Sequence, residues 1–360
     1  MIPNWQKLKT DPAFRARMEK RQVIIASVRE FFRSRGFFEA ETPIVVPVPG
    51  TEPHLDPFAV TVRTQAGRDI PAALITSPEY SLKKLLAAGY EQLFEITRVF
   101  RNGEPWGPDA SADGSTTHNP EFTMIEWYRA HADYAAIMRD TEEMVAEAAR
   151  RLSGGTLIKF AGRAIDLAPP WPRLTVAAAM KKYADLDLAA ALDDSVWFRA
   201  EVEKRGFQVG ATDTFDDLFF KIFLRDVESH LGEAEKAGEP ERPVILCEYP
   251  ASMAALSRLK PGDSRYAERF EVYCGGLELG NAYSELIDAV EQRRRIEADN
   301  AERAKAGRPV YGTDAQFVAA VGELPPCAGI AFGLDRLVML LTDAPDIQDV
   351  LFFPARDLFH

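Results

Sequence analysis

Cysteine is scarce. Cys247, Cys274 and Cys327 are the only three in 360 residues. They are widely spaced with no CxxC, which argues against a disulfide framework or a cysteine zinc site and leaves free thiols. No run of about 18 apolar residues is present to span a membrane as a helix. The start, Met1-Ile2-Pro3-Asn4-Trp5, lacks the charged and apolar regions of a secretory signal. A cytoplasmic protein with no membrane partner is therefore expected. Basic charge is also short, since 43 Lys and Arg face 55 Asp and Glu for a net charge of -12. Only brief basic runs such as Arg293-Arg294-Arg295 occur, so a large RNA footprint held through phosphates is disfavoured. Repeats and low-complexity tracts are missing too. Apolar residues, by contrast, make up 46% of the chain, enough for one large domain or a main domain with an insert.

The most informative stretch runs from Phe94 to Tyr128. Alternation from Leu93 to Arg101 predicts a strand with Glu95, Thr97 and Arg101 on one face and Phe94, Ile96 and Phe100 on the other. It repeats from Glu121 to Tyr128, where Phe122, Met124, Glu126 and Tyr128 share a face. Two readings fit this pattern. It describes either two ordinary amphipathic strands or a hairpin whose arginine, aromatic ring, carboxylate and phenol suit a nucleotide followed by a cationic group.

A second hairpin is expected around Cys274-Gly275. With a two-residue turn, Glu271 and Glu278 would face each other. Facing like charges destabilise a ladder. A divalent cation is the simplest compensation, and hard oxygen ligands suit magnesium bridging phosphates. Glu285 has the opposite parity to Glu278, so a bulge, naturally at Gly280, is needed to bring both to one site. Further on, the apolar strand from Gly329, then Gly333, then Arg336 in the first turn of a helix, forms a plausible phosphate site.

Helix signals frame these strands. Asp11-Pro12 starts and Gly36 stops a helix with Phe14, Met18, Ile25, Val28 and Phe32 at helical spacing, and a strand follows from Phe37 to Pro43. Ser77 as N-cap, Pro78 at the first position and Gly89 at the end predict a short helix from Pro78 to Ala88. Helices such as Tyr134 to Leu152 and Ser195 to Arg205 dominate residues 133 to about 230. A charged helix from Ala289 to Lys305 leads to Gly307-Arg308-Pro309.

Arg101-Asn102 followed by His118-Asn119-Pro120-Glu121-Phe122-Thr123-Met124 resembles motif 2 of class II aminoacyl-tRNA synthetases in its lysyl version. Asp335-Arg336 is similar to motif 3. With Ser77-Pro78-Glu79 and Glu278-Leu279-Gly280-Asn281, the resemblance covers nearly the whole chain. It implies an α+β fold, an antiparallel sheet flanked by helices, with residues 1–360 forming a single catalytic domain. Motif 1, at about 12–43, would form a homodimer interface; motif 2 lies at about 93–128, a helical insert at about 133–230 and motif 3 at about 329–341.

The resemblance also implies a reaction using ATP and Mg2+. The carboxylate of a lysine-like amino acid attacks the α-phosphate, pyrophosphate leaves, and the aminoacyl adenylate passes its acyl group to an acceptor amine. Arg101 would hold the α-phosphate, Arg336 the γ-phosphate, and Glu271 and Glu278 the magnesium. His118 and Asn119 would orient the nucleotide and Phe122 would lie under the adenine, with Asn102, Gly103, Glu104, Leu279 and Gly333 completing the site. Ser77 and Pro78 would line the amino-acid pocket and Glu79 would take the α-ammonium. Glu126, Tyr128 and Glu285 would bind the side-chain ammonium, beside Gly280 and Asn281. Two departures stand out. Arg101-Asn102-Gly103-Glu104 replaces the usual Arg-Asn-Glu, displacing the glutamate, and the loop to His118 is long, rich in Gly, Ser, Asp and Pro, and expected to be mobile until ATP binds.

Within the group, the chain most resembles the elongation factor P lysine ligases. About ten residues precede the first long helix, too few for the barrel with which lysyl-tRNA synthetases read the anticodon. Elongation factor P is therefore the expected acceptor, with tRNA an unlikely partner. Lysine or β-lysine is the expected substrate, since Gly280 is the lysyl-tRNA synthetase choice where the ligases often carry alanine. A tRNA-charging enzyme and a non-catalytic paralogue are the alternatives.

Overall fold

The computed structural model describes residues 2–50, 52–106, 116–234, 236 and 238–359. The long loop expected to be mobile falls largely outside these residues. One eight-stranded sheet carries the chain, in the order β1-β5-β6-β13-β12-β11-β10-β9. Its central strands are antiparallel: β5 (Gln92–Phe100), β6 (Glu121–Ala130), β13 (Cys327–Gly333), β12 (Leu277–Ser284), β11 (Tyr266–Cys274) and β10 (Val244–Pro250). The edge strands β1 (Phe38–Glu39) and β9 (Arg173–Thr175) pair in parallel. Smaller sheets are built from β2 (Val45–Val46), β3 (Ala59–Arg63) and β4 (Asp69–Leu74), and from β7 (Leu157–Phe160) and β8 (Arg163–Asp166).

Alternation in the sequence becomes a two-faced sheet. Phe94, Ile125, Trp127, Phe270, Val272, Ile330 and Phe332 point into the main core, against α2 (Pro12–Ser34), α4 (Tyr134–Ser153) and α11 (Leu334–Leu341). α2 begins as its sequence predicts, with the Asp11 carboxylate accepting from the backbone amides of Ala13 and Phe14 and Pro12 in the first turn. It buries Ile24 rather than Ile25. The opposite face of the sheet carries the polar set. Leu93 faces Tyr128, Glu95 faces Glu126, Thr97 faces Met124 and Val99 faces Phe122, so the residues expected to share a face on each strand meet on the same side of the sheet.

The β11–β12 hairpin differs from expectation. Its turn is Gly275-Gly276, both with positive φ (61° and 79°), the requirement of a tight hairpin turn that matches strand twist. Moving the turn one residue along sets Glu278 opposite Tyr273 and Glu271 opposite Asn281. The two glutamates are not direct partners. The register shift falls between Glu278 and Gly280, leaving Leu279 as the extra residue. That bulge puts Glu271, Glu278, Asn281 and Tyr283 on one face and continues the face to Glu285.

The region expected to be a helical insert is not one unit. α4 packs on the main sheet and belongs to its core. β7, β8 and β9 follow. Only then do α5 (Val176–Ala184), α6 (Leu188–Asp193), α7 (Ser195–Lys204) and α8 (Phe215–Ile222) form a second core, closed by Leu246, Tyr249 and Tyr273 of the sheet. The remaining helices are α1 (Asn4–Thr10), α3 (Glu79–Ala87), α9 (Ala289–Lys305) and α10 (Ala315–Val321). Among the described residues, no helix is long and apolar enough to cross a membrane. The three cysteines are buried free thiols.

Candidate active site

The polar face of the sheet is the floor of a cavity of about 1490 Å³, walled by α3, α8, α9 and the start of α11. It brings together Ser77, Glu79, Arg101, Glu104, His118, Asn119, Phe122, Tyr128, Glu278, Leu279, Gly280, Asn281, Glu285, Gly333 and Arg336. Glu126 and Glu271 lie behind this wall and Pro78 is the N-cap of α3. Asn102 is tied to the loop before β3 by its backbone, which donates to the Asp56 carbonyl at 2.6 Å.

At one end, carboxylates dominate. Glu126 accepts from Ser77 Oγ at 2.5 Å and from Tyr128 Oη at 3.0 Å. Burial, then the nearby Glu79, pushes its carboxyl up to about 8. Sequence reasoning missed Lys83, which is completely buried, with Nζ 2.5 Å from Glu79 Oε1 and 2.6 Å from Glu285 Oε2. Burial alone would lower its pKa, but Glu285 and Glu79 outweigh that and hold it charged. Its position follows from helical spacing: Lys83 lies one turn beyond Glu79 on α3. Glu285 is pushed up to about 7, first by burial, with Lys83 opposing, and its Oε1 is buried without a hydrogen-bond partner.

At the other end, arginines dominate. The Arg101 guanidinium lies 5.2 Å from the Phe122 ring centroid, and its Nε is buried and unpartnered. Arg336 donates from Nη1 to the Glu278 carbonyl at 2.7 Å and from Nη2 to His118 Nε2 at 3.1 Å. A guanidinium only donates, so His118 Nε2 must accept and the ring proton sits on Nδ1. Burial, then Arg336 and Arg101, lowers His118 to about 4, keeping it neutral. Glu104 Oε2 lies 3.6 Å from the same ring. The additional residue that displaced this glutamate is Gly103, which turns the chain with φ 75° and lets Glu104 reach the site.

Asn119 is a correction. Its amide donates to the Glu121 carbonyl at 2.6 Å, and its Oδ1 accepts from the Ala355 amide at 3.0 Å. The side chain thus ties the hairpin to the C-terminal segment. Another unexpected anchor is Arg21 of α2, whose Nη1 meets Asp335 Oδ1 at 2.5 Å while Asp335 Oδ2 accepts from the Thr123 amide at 2.7 Å. This buried pair fixes the first turn of α11, and with it Arg336, against β6.

The metal expectation changes as well. Glu271 accepts from Arg269 Nη2 at 2.5 Å, Tyr249 Oη at 2.6 Å and Tyr273 Oη at 2.7 Å. Protein donors supply the compensation expected from a cation. Among the described residues, no group of three or more His, Cys, Asp or Glu is set to hold a metal. Glu278 differs, because its carboxylate opens on the cavity. Deep placement and then Glu271 raise it to about 7, with Arg336 opposing. One such carboxylate fits magnesium arriving with nucleotide phosphates; Glu271 would have to exchange a hydrogen bond to join it.

Gly280 and Leu279 border the cavity without aiming side chains into it. Leu279 belongs to the main core. A Cβ on Gly280 would lie 2.9 Å from Phe332 Cδ2 and 3.0 Å from the Ala331 carbonyl oxygen, in that same core. A methyl at Gly280 would therefore press on this core rather than project into the cavity. The small residue on the floor is Ala331, which pairs with both Glu126 and Asn281.

A second wing of the cavity runs between α8 and α9. Asp213, Asp216 and Asp217 line one side with Lys221 and Arg225, Glu302 lines the other with Arg294 and Arg295, and Phe220 and Leu224 lie between, so the wing is of mixed charge and Asp213 is paired with Lys221. Burial raises Asp216, and Asp217 and Glu302 add to the rise.

The chain matches the family described as tRNA synthetases class II (D, K and N) over residues 4–357. It is 38% identical to a lysine–tRNA ligase of Moorella thermoacetica over 339 residues, 93% of this chain and 64% of that protein. A lysine–tRNA ligase of Synechococcus sp. is 36% identical over 351 residues, 96% of this chain and 65% of the relative. One of Chromohalobacter salexigens is 37% identical over 347 residues, 96% and 64% of the two. This chain thus spans less than two thirds of the length of these relatives.

Proposed function

This chain belongs to the class II tRNA synthetases (D, K and N), and from that premise we propose that it activates lysine or a close diamino acid with ATP and passes the acyl group to an amine. The observation that carries the reading is the amino-acid end of the cavity. Glu79 and Glu285 share one internal cation, Lys83, Glu126 has only the hydroxyls of Ser77 and Tyr128, and Glu285 Oε1 is buried with no partner. A buried carboxylate without a partner is costly. An incoming ammonium removes that cost, and a neutral side chain leaves it in place, so the site selects a cationic amino acid.

Arg101 lies between this end and Phe122, where it can hold the substrate carboxylate and the α-phosphate together. Arg336, kept in line by neutral His118, meets the distal phosphates. Magnesium arriving with the nucleotide would be held by Glu278 and would supply neutralisation of phosphate charge. No side chain need act as nucleophile, because positioning and charge neutralisation supply the rate.

For the acceptor, we favour a lysine side chain of elongation factor P. The net charge of -12 supports this: it attracts an amine and repels a phosphate backbone. A neutral amine attacks the adenylate carbonyl, an amide forms, and AMP leaves. The second reading is transfer to tRNA, which the names of the relatives favour. Incubating the protein with ATP, magnesium, lysine or β-lysine and both acceptors separates the two. Our reading predicts one aminoacyl mass added to elongation factor P through a bond that survives mild base. Base-labile aminoacyl-tRNA with no mass change on the protein would establish the tRNA reading instead.

We further propose a cytoplasmic homodimer. Exposed Val23 on α2, Phe38 on β1, Val45 on β2 and Ile70 on β4 support an interface there.

A further inference from the structure

We propose that Glu52 receives, with Glu79, the substrate amine nearest the carboxylate, and that the pair lets the pocket take this amine on either the α- or the β-carbon. The proposal rests on the reading of the cavity as an amino-acid adenylation site. Glu52 lies on the loop between β2 and β3 and lines the cavity.

The loop is clamped. Arg303 of α9 is completely buried, and its guanidinium donates to the carbonyls of Glu52 at 2.9 Å, Leu55 at 2.6 Å and Pro309 at 2.8 Å, while Nη2 meets Asp56 Oδ1 at 3.2 Å. Arg308 adds a bond to the Pro53 carbonyl at 3.1 Å. A planar guanidinium satisfied at every nitrogen holds backbone in one geometry. Gly50, two residues earlier, also makes room for the carboxylate, since a Cβ there would lie 2.5 Å from Glu52 Oε2. Loop and side chain are both placed.

The location follows from the lining: Glu52, Ser77, Glu79 and Arg101 border the same cavity, and the point where a Gly50 Cβ would sit, 2.5 Å from Glu52 Oε2, is 3.5 Å from Thr76 Oγ1, just before the start of α3. Burial raises its carboxyl to about 7, Glu79 adds to the rise, and Arg101 opposes it. With Thr76 next to Ser77 at the start of the segment that carries Glu79, Glu52 stands on the side of the cavity where the substrate's proximal amine and carboxylate are assigned. Farther in, Glu126 and Glu285 serve the distal ammonium. With its two ends fixed by Arg101 and Glu285, a diamino acid can carry its proximal amine on either of two carbons about 1.5 Å apart. Glu79 comes from a helix and Glu52 from a loop, so the two carboxylates reach that amine from different elements. One acceptor fits one position well, whereas two cover both.

The test compares the wild type with Glu52→Gln. KM for lysine and for 3,6-diaminohexanoic acid (β-lysine) is measured by ATP–pyrophosphate exchange. The inhibition constant of 6-aminohexanoic acid, which keeps the distal amine and lacks the proximal one, is measured against lysine. Thermal melting checks the fold. We expect the wild type to use both diamino acids. Glu52→Gln should raise KM for β-lysine at least tenfold and for lysine less, with kcat moving much less than KM and the 6-aminohexanoic acid constant unmoved. Unchanged KM values, or an equal weakening of all three compounds, would overturn the proposal, the latter because it reports only a displaced loop. A wild type that activates lysine alone would overturn the widened acceptance. No exchange with either diamino acid would refute the adenylation reading and this proposal with it.

Discussion

Charge placement at single residues governs the site. Lys83 is a built-in ammonium between Glu79 and Glu285, and deleting it leaves two buried carboxylates facing each other. Lys83→Met should lower stability by about 3 to 5 kcal/mol, the usual cost of removing one partner of a buried pair, as read by urea unfolding. A loss under 1 kcal/mol would show that the carboxylates simply take up protons. Glu278→Gln should abolish magnesium-dependent pyrophosphate exchange in a folded protein, and near-normal exchange would contradict the metal role given to Glu278. The raised carboxyls at Glu126 (about 8) and Glu285 (about 7) also give a pH signature. Their folded pKa values exceed the unfolded ones near 4.5, so the folded state binds more protons between those limits. The empty protein should then be most stable at or below about pH 4.5 with respect to these groups and lose stability as pH rises toward 8. Lysine requires the ionised carboxylates, so its binding should release protons and tighten from pH 6 to 8. Calorimetry in buffers of different ionisation enthalpy measures the release, and proton uptake would contradict this account.

Among the elements, the β11–β12 hairpin shows what the sequence can and cannot disclose. Parity required a bulge between Glu278 and Glu285, and one is there, but the turn sits at Gly275-Gly276 rather than one residue earlier. Two adjacent glycines with positive φ made the later turn the better fit, and Cys274 was free to remain in the strand. The shift changes what Gly280 does. Gly280→Ala should strain β12 against β13, lowering stability by about 1 to 3 kcal/mol, with little direct effect on choice between lysine and β-lysine. A variant of unchanged melting temperature and altered preference would restore Gly280 to the pocket wall. The β5–β6 hairpin and α2 were legible because caps and alternation agree; α3 was legible too, though its N-cap is Pro78, one residue after the expected Ser77. Arg21 was not, since Asp335 lies in a distant segment; Lys83 and Arg269 have near partners in Glu79 and Glu271, but their contacts with Glu285 and Asn281 cross to other elements that local pattern does not reveal.

Across the whole molecule, the class II catalytic fold, a large mainly antiparallel sheet flanked by helices, was readable from its motifs. The second core was not. It hangs on β9, a three-residue edge strand that has no alternation to detect, and on α5 to α8 packing against Tyr249 and Tyr273. This unit also supplies one side of the second wing of the cavity, with Asp213, Asp216, Asp217, Lys221 and Arg225. A homodimer should appear by light scattering at micromolar concentration, and a monomer there would argue against the interface on α2 and β1. The most direct measurement is ATP–pyrophosphate exchange with lysine against 2-aminohexanoic acid, which matches lysine's carbon chain and lacks only the distal amine. Exchange should depend on lysine and magnesium and remain at background with the neutral analogue; equal exchange with both would show that the buried carboxylates do not select the substrate.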